Sequence, residues 1–318
     1  MDDVPDGTRT TIHLVLLVAF GIKAAVFPLS TWLPDSYPTA AAPVTAVFAG
    51  LLTKVGVYAI IRTETLLFPG GELRTVLLVG ALLTMVVGVL GAVAQSDIKR
   101  MLSFTLVSHI CYMIFGVGLA SVAGLAGSVF YVAHHIVIQT ALFLATGLIE
   151  RRGGSTNINR LGGLAAASPV LAVVFFPPAM NLGGIPPLSG FIGKLGLLQA
   201  GAQQGGPLVW TVVGAGVVTS LLTLYAIAKV WGKAFWRPVE QAPQQEPSPA
   251  DHATSGALLI DQRTGTLPRT MVAATIGLVA VSLSLTVVAG PLYGYAERAA
   301  TDLLARTPYV TAALPGPA

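Results

Sequence analysis

The chain has 318 residues, of which 54% are hydrophobic and only 10% are charged, and its mean hydropathy is +0.76. Soluble domains carry roughly 25% charged residues, so this composition excludes an ordinary soluble protein. The net charge of +4 is spread over short connectors without an aromatic-interleaved basic patch, which argues against a nucleic-acid partner. The single cysteine, Cys111, excludes a disulfide framework and a cysteine-ligated metal or cluster.

The length of the apolar segments predicts an all-α polytopic membrane protein with about eight transmembrane helices, because a span of roughly 20 apolar residues crosses the hydrocarbon core. A connector at 237–268, rich in Pro, Gln, Ser and Gly, predicts a loop, and the last stretch predicts a short amphipathic surface helix. In chain order, the predicted spans are 10–28, 43–62, 73–95, 101–122, 126–149, 168–204, 207–232 and 269–292.

The distribution of Lys and Arg predicts the orientation of the chain in the membrane. The basic residues concentrate in the loops at 96–100, 150–167 and 233–268, and the opposite loops carry few. Excess positive charge in short loops marks the cytoplasmic side. We therefore expect a multi-pass protein of the cell membrane with both termini extracytoplasmic.

Two of the predicted spans are interrupted by proline and glycine. Proline removes a backbone donor, so hydrogen-bonding groups are freed at membrane depth, where they need protein or water around them. Such discontinuous helices are the best sequence indication of a transport site. The residues expected to break the first and sixth spans are Pro28, Pro34, Gly183, Gly184, Pro186 and Pro187.

Three lysines, Lys23, Lys54 and Lys194, lie inside otherwise apolar spans. Ionisable residues within a membrane are costly and usually mark an ion path. The predicted spans contain no Asp or Glu. A charged Lys23 would therefore need a partner from a helix end, a neighbouring chain or a segment outside this sequence.

Histidines add further titratable groups to the predicted path. His134 and His135 are adjacent, so their side chains point about 100° apart on a helix and do not suit one metal ion. We expect at most one of them to face the lysines, the one on the side of Gln139. For His109 a structural hydrogen bond is the favoured interpretation. The sequence predicts no cofactor and no metal site.

Four segments together resemble the proton-conducting antiporter-like family. The family includes three subunits of respiratory complex I, subunits of membrane-bound hydrogenases and the multi-subunit Mrp-type cation/proton antiporters. Within it, the sequence of the first segment is most similar to D-type Mrp subunits. In chain order the segments are GIKAAVFPLSTWLPDSYPTAAAPVTAVFAGLLTKVGVY, AQSDIKRMLSFTLVSHICYM, YVAHHIVIQTALFLATGLIERR and LGGIPPLSGFIGKLGLL.

This resemblance implies roles for the candidate residues. Lys23 and Lys194 would be the lysines of two broken helices in an inverted repeat, Lys54 a bridging lysine, and one of His134 and His135 the link to Lys194. Protons would move along this row, coupled to sodium exchange in a hetero-oligomeric membrane complex. The implied organisation is a remnant of the first repeat at 1–72, a second five-helix repeat at 73–236, a cytoplasmic loop at 237–268, and a final span and tail at 269–318.

Two departures from the family pattern keep alternatives open. The sequence is expected to lack six N-terminal helices, which a separate chain would then supply, and Gln139 stands where a lysine is expected. The chain would be a fragment, a split subunit or a degenerate copy. The alternatives are a proton-pumping subunit of a complex I-like or hydrogenase complex, and a truncated, non-transporting structural subunit. A membrane enzyme is disfavoured because no nucleophile with a base is visible.

Overall fold

The computed structural model describes residues 5–69, 71–238, 241 and 267–313 of the chain, and helices make up most of them. In chain order the helices are α1 (Asp6–Ala24), α2 (Trp32–Ser36), α3 (Ala42–Leu67), α4 (Arg74–Ala94), α5 (Ile98–Gly118), α6 (Val122–Gly153), α7 (Leu164–Ala167), α8 (Pro169–Gly183), α9 (Ser189–Gln204), α10 (Pro207–Trp236), α11 (Arg269–Val287), α12 (Ala289–Leu304) and α13 (Arg306–Ala313).

Six helices within the described residues are long and apolar enough to cross a membrane, namely α3, α4, α5, α6, α10 and α11. Each overlaps a predicted span, although α3 and α6 run several residues beyond the predicted ends and α11 stops short of its predicted end. The predicted span at 10–28 corresponds to α1, and the one at 168–204 to the two shorter helices α8 and α9. The membrane-protein class is thus confirmed.

The centre of the bundle is α5, which is buried almost along its whole length, with α6 beside it. Glycine allows α4 to approach α5 closely: a Cβ on Gly88 would lie 2.6 Å from the backbone nitrogen of Ser108. By contrast, α1 buries only His13, Gly21 and Ala24 and lies at one edge of the bundle.

One end of the bundle, here called the basic end, gathers the loops at 95–97 and 154–163 with the end of α10. The Ile98 amide donates to the Thr156 carbonyl at 3.0 Å, and the Gly163 amide donates to the Arg237 carbonyl at 2.7 Å. Lys99 forms an ion pair with Glu150 at 2.7 Å. The predicted grouping of these loops is confirmed for the described residues, whereas nearly all of the connector at 237–268 lies outside them. The opposite end carries the turns at 68–73 and 119–121 and is called the second end.

The chain leaves the helical path after α1. Ala25 adopts a left-handed conformation (φ 60°), and Pro28 follows three residues later. A residue before proline is disfavoured in the α region, so the helix cannot continue through Phe27. The Phe27 amide is instead satisfied by Thr84 Oγ1 of α4 at 2.9 Å. Pro34 lies within α2.

The second break lies between α8 and α9. Gly183 is the last residue of α8, and Gly184 (φ +81°) caps it with its amide 3.1 Å from the Met180 carbonyl. Pro177 and Pro178 lie inside α8 without ending it, so the interruption is confined to 184–188. Across the gap, the Asn181 side chain accepts from the Gly190 amide at 2.7 Å.

The predicted surface helix of the last stretch is α12, and it packs on α6. Ala289, Ala296 and Ala300 of α12 are buried, and the ring of Tyr293 lies 5.3 Å from that of Phe130. Small residues let two helices approach closely in a membrane. This segment therefore belongs to the bundle, and the expectation of a purely surface role is corrected.

Candidate ion path

Lys54 is buried in α3 directly after a π-helical segment, Phe48–Leu52. Its Nζ donates to the Ala49 carbonyl at 2.6 Å. A π-helical turn displaces the regular hydrogen-bond ladder, and such turns are frequent at functional sites. The ammonium group is thus held by its own helix, with no carboxylate bonded to it among the described residues.

Lys194 is buried in α9 and reaches back to the broken end of α8. Its Nζ donates to the carbonyls of Leu182, at 2.9 Å, and Gly183, at 3.3 Å. These carbonyls end a helix, where the dipole favours a cation. The ammonium also lies 5.4 Å from the centre of the Tyr112 ring, a cation–π distance.

Between the two lysines, aromatic and imidazole rings form a buried network. The Tyr131 hydroxyl lies 3.0 Å from His109 Nδ1, and the rings of His109 and His135 are 5.4 Å apart. His134 Nδ1 lies 3.0 Å from Ser189 Oγ at the start of α9. His109 and His135 also lie within electrostatic reach of Lys54. The hydrogen bonds and ring contacts of the network thus connect α5, α6 and α9, and Lys54 of α3 interacts with it electrostatically.

Both adjacent histidines take part in this network, on either side of Tyr131, whose ring lies 5.3 Å from His134 and 5.9 Å from His135. The expectation that at most one of them faces the lysines is corrected, because His134 contacts Ser189 of α9 and the His135 ring lies beside that of His109 in α5. His109 does make a hydrogen-bonding contact, 3.3 Å from Thr223 Oγ1, but it also lies at the centre of the network.

Several buried polar atoms in the network have no partner among the described residues: both ring nitrogens of His135, Nε2 of His134 and Oε1 of Gln139. Gln139 donates its amide to the Leu102 carbonyl at 2.8 Å. Buried polar groups are normally satisfied by protein or ordered water, so these atoms are suited to a file of water molecules. One of these atoms belongs to Gln139, which stands where the family resemblance leads one to expect a lysine, and the others belong to the histidines that precede it in α6.

Lys23 differs from the other two lysines. It lies in the last turn of α1, its side chain is exposed, and it makes no hydrogen bond or ion pair within the described part of the chain. Its backbone approaches α3 closely, because a Cβ on Gly56 would lie 2.9 Å from the Lys23 carbonyl carbon. The lysine thus stands at the edge where α1 meets α3.

Sequence reasoning missed Tyr112, Tyr131 and Ser189, which connect the titratable groups. Tyr131 precedes His134 by three residues, and Tyr112 follows His109 by three, so each pair shares a helix face. That spacing is the signal that could have found the tyrosines. Within the described residues, no group of three or more His, Cys, Asp or Glu side chains is arranged to hold a metal ion.

Residues 4–223 match the family model described as "NADH:quinone oxidoreductase/Mrp antiporter, TM". The chain is 38% identical over 310 residues to the D-type subunit of the Na(+)/H(+) antiporter of Alkalihalophilus pseudofirmus, covering 97% of this chain and 59% of that protein. This chain therefore spans about three fifths of the length of that relative.

Solved structures give the same assignment. A chain of the Mrp complex from Dietzia sp. DQ12-45-1b superposes with a TM-score of 0.83 at 34% identity, covering 96% of this chain and 61% of that one. A chain of respiratory complex I from Thermus thermophilus superposes with a TM-score of 0.75 at 25% identity, over 95% of this chain and 60% of that one. The expected resemblance is thus confirmed at the level of fold.

Proposed function

The chain belongs to the NADH:quinone oxidoreductase/Mrp antiporter transmembrane family, and we propose that it is an ion-translocating subunit of a multi-subunit Na+/H+ antiporter. In this proposal protons move through the bundle along Lys54, His135, His109, His134 and Lys194. The observation that supports it is a buried network of histidines and tyrosines near two buried lysines, neither of which has a bonded carboxylate within the described residues.

The chemistry of these groups suits proton movement. A buried ammonium is expensive to maintain, so its proton is readily given to a neighbour that is itself able to bind it. Histidine exchanges protons near neutral pH, and tyrosine hydroxyls and water can relay them. Each lysine is held by helix carbonyls, which accept hydrogen bonds from the protonated and the neutral amine alike.

We further propose that Lys23 joins this row when a partner covers the edge formed by α1 and α3. The exposed side chains around Lys23 are apolar, including Val18, Ile22 and Val55. An ammonium group on an apolar membrane surface needs an acidic or polar partner. Helices of another chain, or of a longer form of this one, would supply it, in a hetero-oligomeric cell-membrane complex whose basic end faces the cytoplasm.

The test is a substitution of Lys194 in the complete complex, with Lys229 as the matched control. Both lysines donate to two carbonyls at the end of a neighbouring helix: Lys229 Nζ lies 2.6 Å from the Val93 carbonyl and 2.7 Å from that of Gln95. Only Lys194 touches the histidine network. Sodium-driven proton movement in everted membrane vesicles should be lost in Lys194→Ala and retained in Lys229→Ala, at equal amounts of assembled complex.

Unchanged exchange in Lys194→Ala would overturn the proposed path. A second candidate is a subunit of a redox-driven complex, which the similarity to a chain of complex I favours. The two are separated by tagging this chain and identifying the co-purifying chains by mass spectrometry. Antiporter subunits support the first function, and quinone-reducing or hydrogenase subunits the second.

A further inference from the structure

A second buried pair of titratable groups lies outside the proposed row. His13 of α1 is fully buried, and its Nε2 lies 2.6 Å from Oε1 of Glu64, whose side chain is 9% exposed. The His13 ring stacks on Phe68 with 4.0 Å between ring centres and 3° between planes. The imidazole is therefore fixed in place, with one nitrogen committed to the carboxylate.

The other nitrogen of the ring, His13 Nδ1, is buried without a partner among the described residues. A buried ring that needed only to tie α1 to α3 would be expected to satisfy both nitrogens, since unsatisfied buried polar atoms are costly. An unpaired ring nitrogen on an imidazole that is hydrogen-bonded to a carboxylate is instead suited to passing or receiving a proton.

Glu64 lies inside α3, which the sequence did not anticipate because the predicted span ended at residue 62. It sits in a second π-helical segment, Thr63–Leu67, ten residues after Lys54. That spacing corresponds to about 15 Å along a helix. Because α1 runs antiparallel to α3, His13 lies beside Glu64 just as Lys23 lies beside Gly56. The pair thus stands between the lysines and the second end.

A cavity of about 70 Å³ adjoins Glu64 at the second end. Its wall includes Glu64, Thr65, Gly71, Arg74, Ala120 and Leu304, of which Leu304 is 40% exposed. One water needs roughly 10–15 Å³ by this measure, so the cavity has room for several water molecules. Glu64 therefore borders water-sized space that reaches the protein surface.

The other charged groups near the pair are already accounted for. Arg9 of α1 pairs with Glu72 at 3.2 Å, and Arg74 lines the cavity. Helix α12, which also packs on this part of α3, borders the cavity with Leu304. Glu64 is thus the carboxylate that bridges the cavity and the buried imidazole.

We propose that His13 and Glu64 form a proton-binding pair that exchanges protons with water at the second end of the bundle. In the loading step the Glu64 carboxylate takes a proton from a hydronium ion in the cavity and leaves a water molecule. The reverse step returns the proton. The pair thereby gains or loses one proton; this inference rests on the proposed function, in which such a proton is passed on to the lysine row.

The test replaces both groups so that they keep a hydrogen bond but cannot titrate. In the complete complex, His13→Gln combined with Glu64→Gln preserves an amide–amide contact between α1 and α3. Removing a proton-transfer group commonly costs about 100-fold in rate, so exchange should fall by about that factor. The variant Glu64→Asp, which keeps a titratable carboxylate, should retain part of the exchange rate that the double variant loses. The complex with the control substitution Glu72→Gln should exchange at the normal rate.

A second readout detects binding of the proton without transport. Infrared difference spectra of the purified complex across a pH titration should show a carboxylic acid band that is absent in Glu64→Gln and present in Glu72→Gln. Normal exchange in the double Gln variant, or an infrared difference spectrum unchanged by Glu64→Gln, would overturn the proposal that His13 and Glu64 bind a proton. Lys194→Ala is measured in parallel: if it also exchanges normally, the proposed function has failed, and if it alone loses exchange, only the pair has failed.

Discussion

Lys194 and Lys23 occupy comparable positions beside broken helices, yet their side chains differ in burial and in hydrogen-bond partners. Lys194 is enclosed by α5, α6, α8 and α9, and helix-end carbonyls hold its ammonium. Lys23 instead precedes its break, in the last turn of α1, and projects from the edge without a partner in the described part of the chain. A complete charge site therefore requires packing on every side, and at the α1 edge one side is open.

The backbone groups freed at the two helix breaks are also satisfied in different ways. Around Lys194 the carbonyls come from the broken helix itself, so the break creates the binding site for the cation. At the break after α1, the freed amide of Phe27 is taken by Thr84, and nothing described engages the lysine. The enclosed site is expected to tolerate little change, and the edge site to depend on what covers it.

A large effect on exchange without a matching loss of stability is expected at His135 in the enclosed region. Neither ring nitrogen has a partner among the described residues, so His135→Leu should leave the thermal stability of the complex nearly unchanged while exchange falls about 100-fold. A control is Ser103→Ala, because the Ser103 hydroxyl bonds only within its own helix, to Lys99 at 2.9 Å. Vesicle exchange and thermal unfolding are measured on both variants. Full exchange in His135→Leu would remove it from the path.

An intermediate effect is expected where the edge meets the enclosed region. A side chain at Gly56 would collide with the backbone of Lys23 and Ala24, so Gly56→Val should destabilise the contact between α1 and α3 by about 1–3 kcal/mol. Gly214→Val is the matched control, since no atom of the part of the chain that the structure describes lies within 4 Å of a Cβ there. Thermal unfolding in detergent should separate the two variants, and equal melting temperatures would argue against close packing of α1.

The smallest effect is expected at Lys23 in the chain alone. Because the side chain is exposed, Lys23→Met should change the free energy of unfolding of the isolated chain by less than about 0.5 kcal/mol. The same substitution in the complete complex should abolish exchange, since the covered lysine would then belong to the row. A large destabilisation of the isolated chain would show that Lys23 already has a partner in it.

Most of this architecture was readable from sequence because long apolar segments allow few alternatives in a membrane. The spans and the break at 184–188 followed from hydropathy and from the Gly and Pro residues. The π-helical segments at Phe48–Leu52 and Thr63–Leu67 were not foreseen, because no residue pattern in them distinguishes a π-helical turn from a regular helical turn. The second segment extends α3 to Leu67 and thereby places Glu64 inside a span that was expected to contain no acidic residue.

The contacts of the site were less predictable than its residues. Lys54, Lys194 and the two histidines stand out by type within apolar surroundings, whereas Tyr131 and Ser189 are ordinary in composition. Their role depends on how α5, α6 and α9 pack. This packing places the Tyr131 hydroxyl 3.0 Å from His109 and the Ser189 hydroxyl 3.0 Å from His134. Pairing across helices is a property of packing, and a single sequence carries no direct record of it.

The most direct test of the central claim is sodium/proton exchange by the complete complex carrying Lys54→Met. Methionine matches the length and apolar character of the lysine stem but cannot carry a proton, and the Ala49 carbonyl loses only this donor. We expect the complex to assemble in normal amounts and to show no exchange in everted vesicles. Exchange at the wild-type rate by a fully assembled Lys54→Met complex would contradict proton movement along this row.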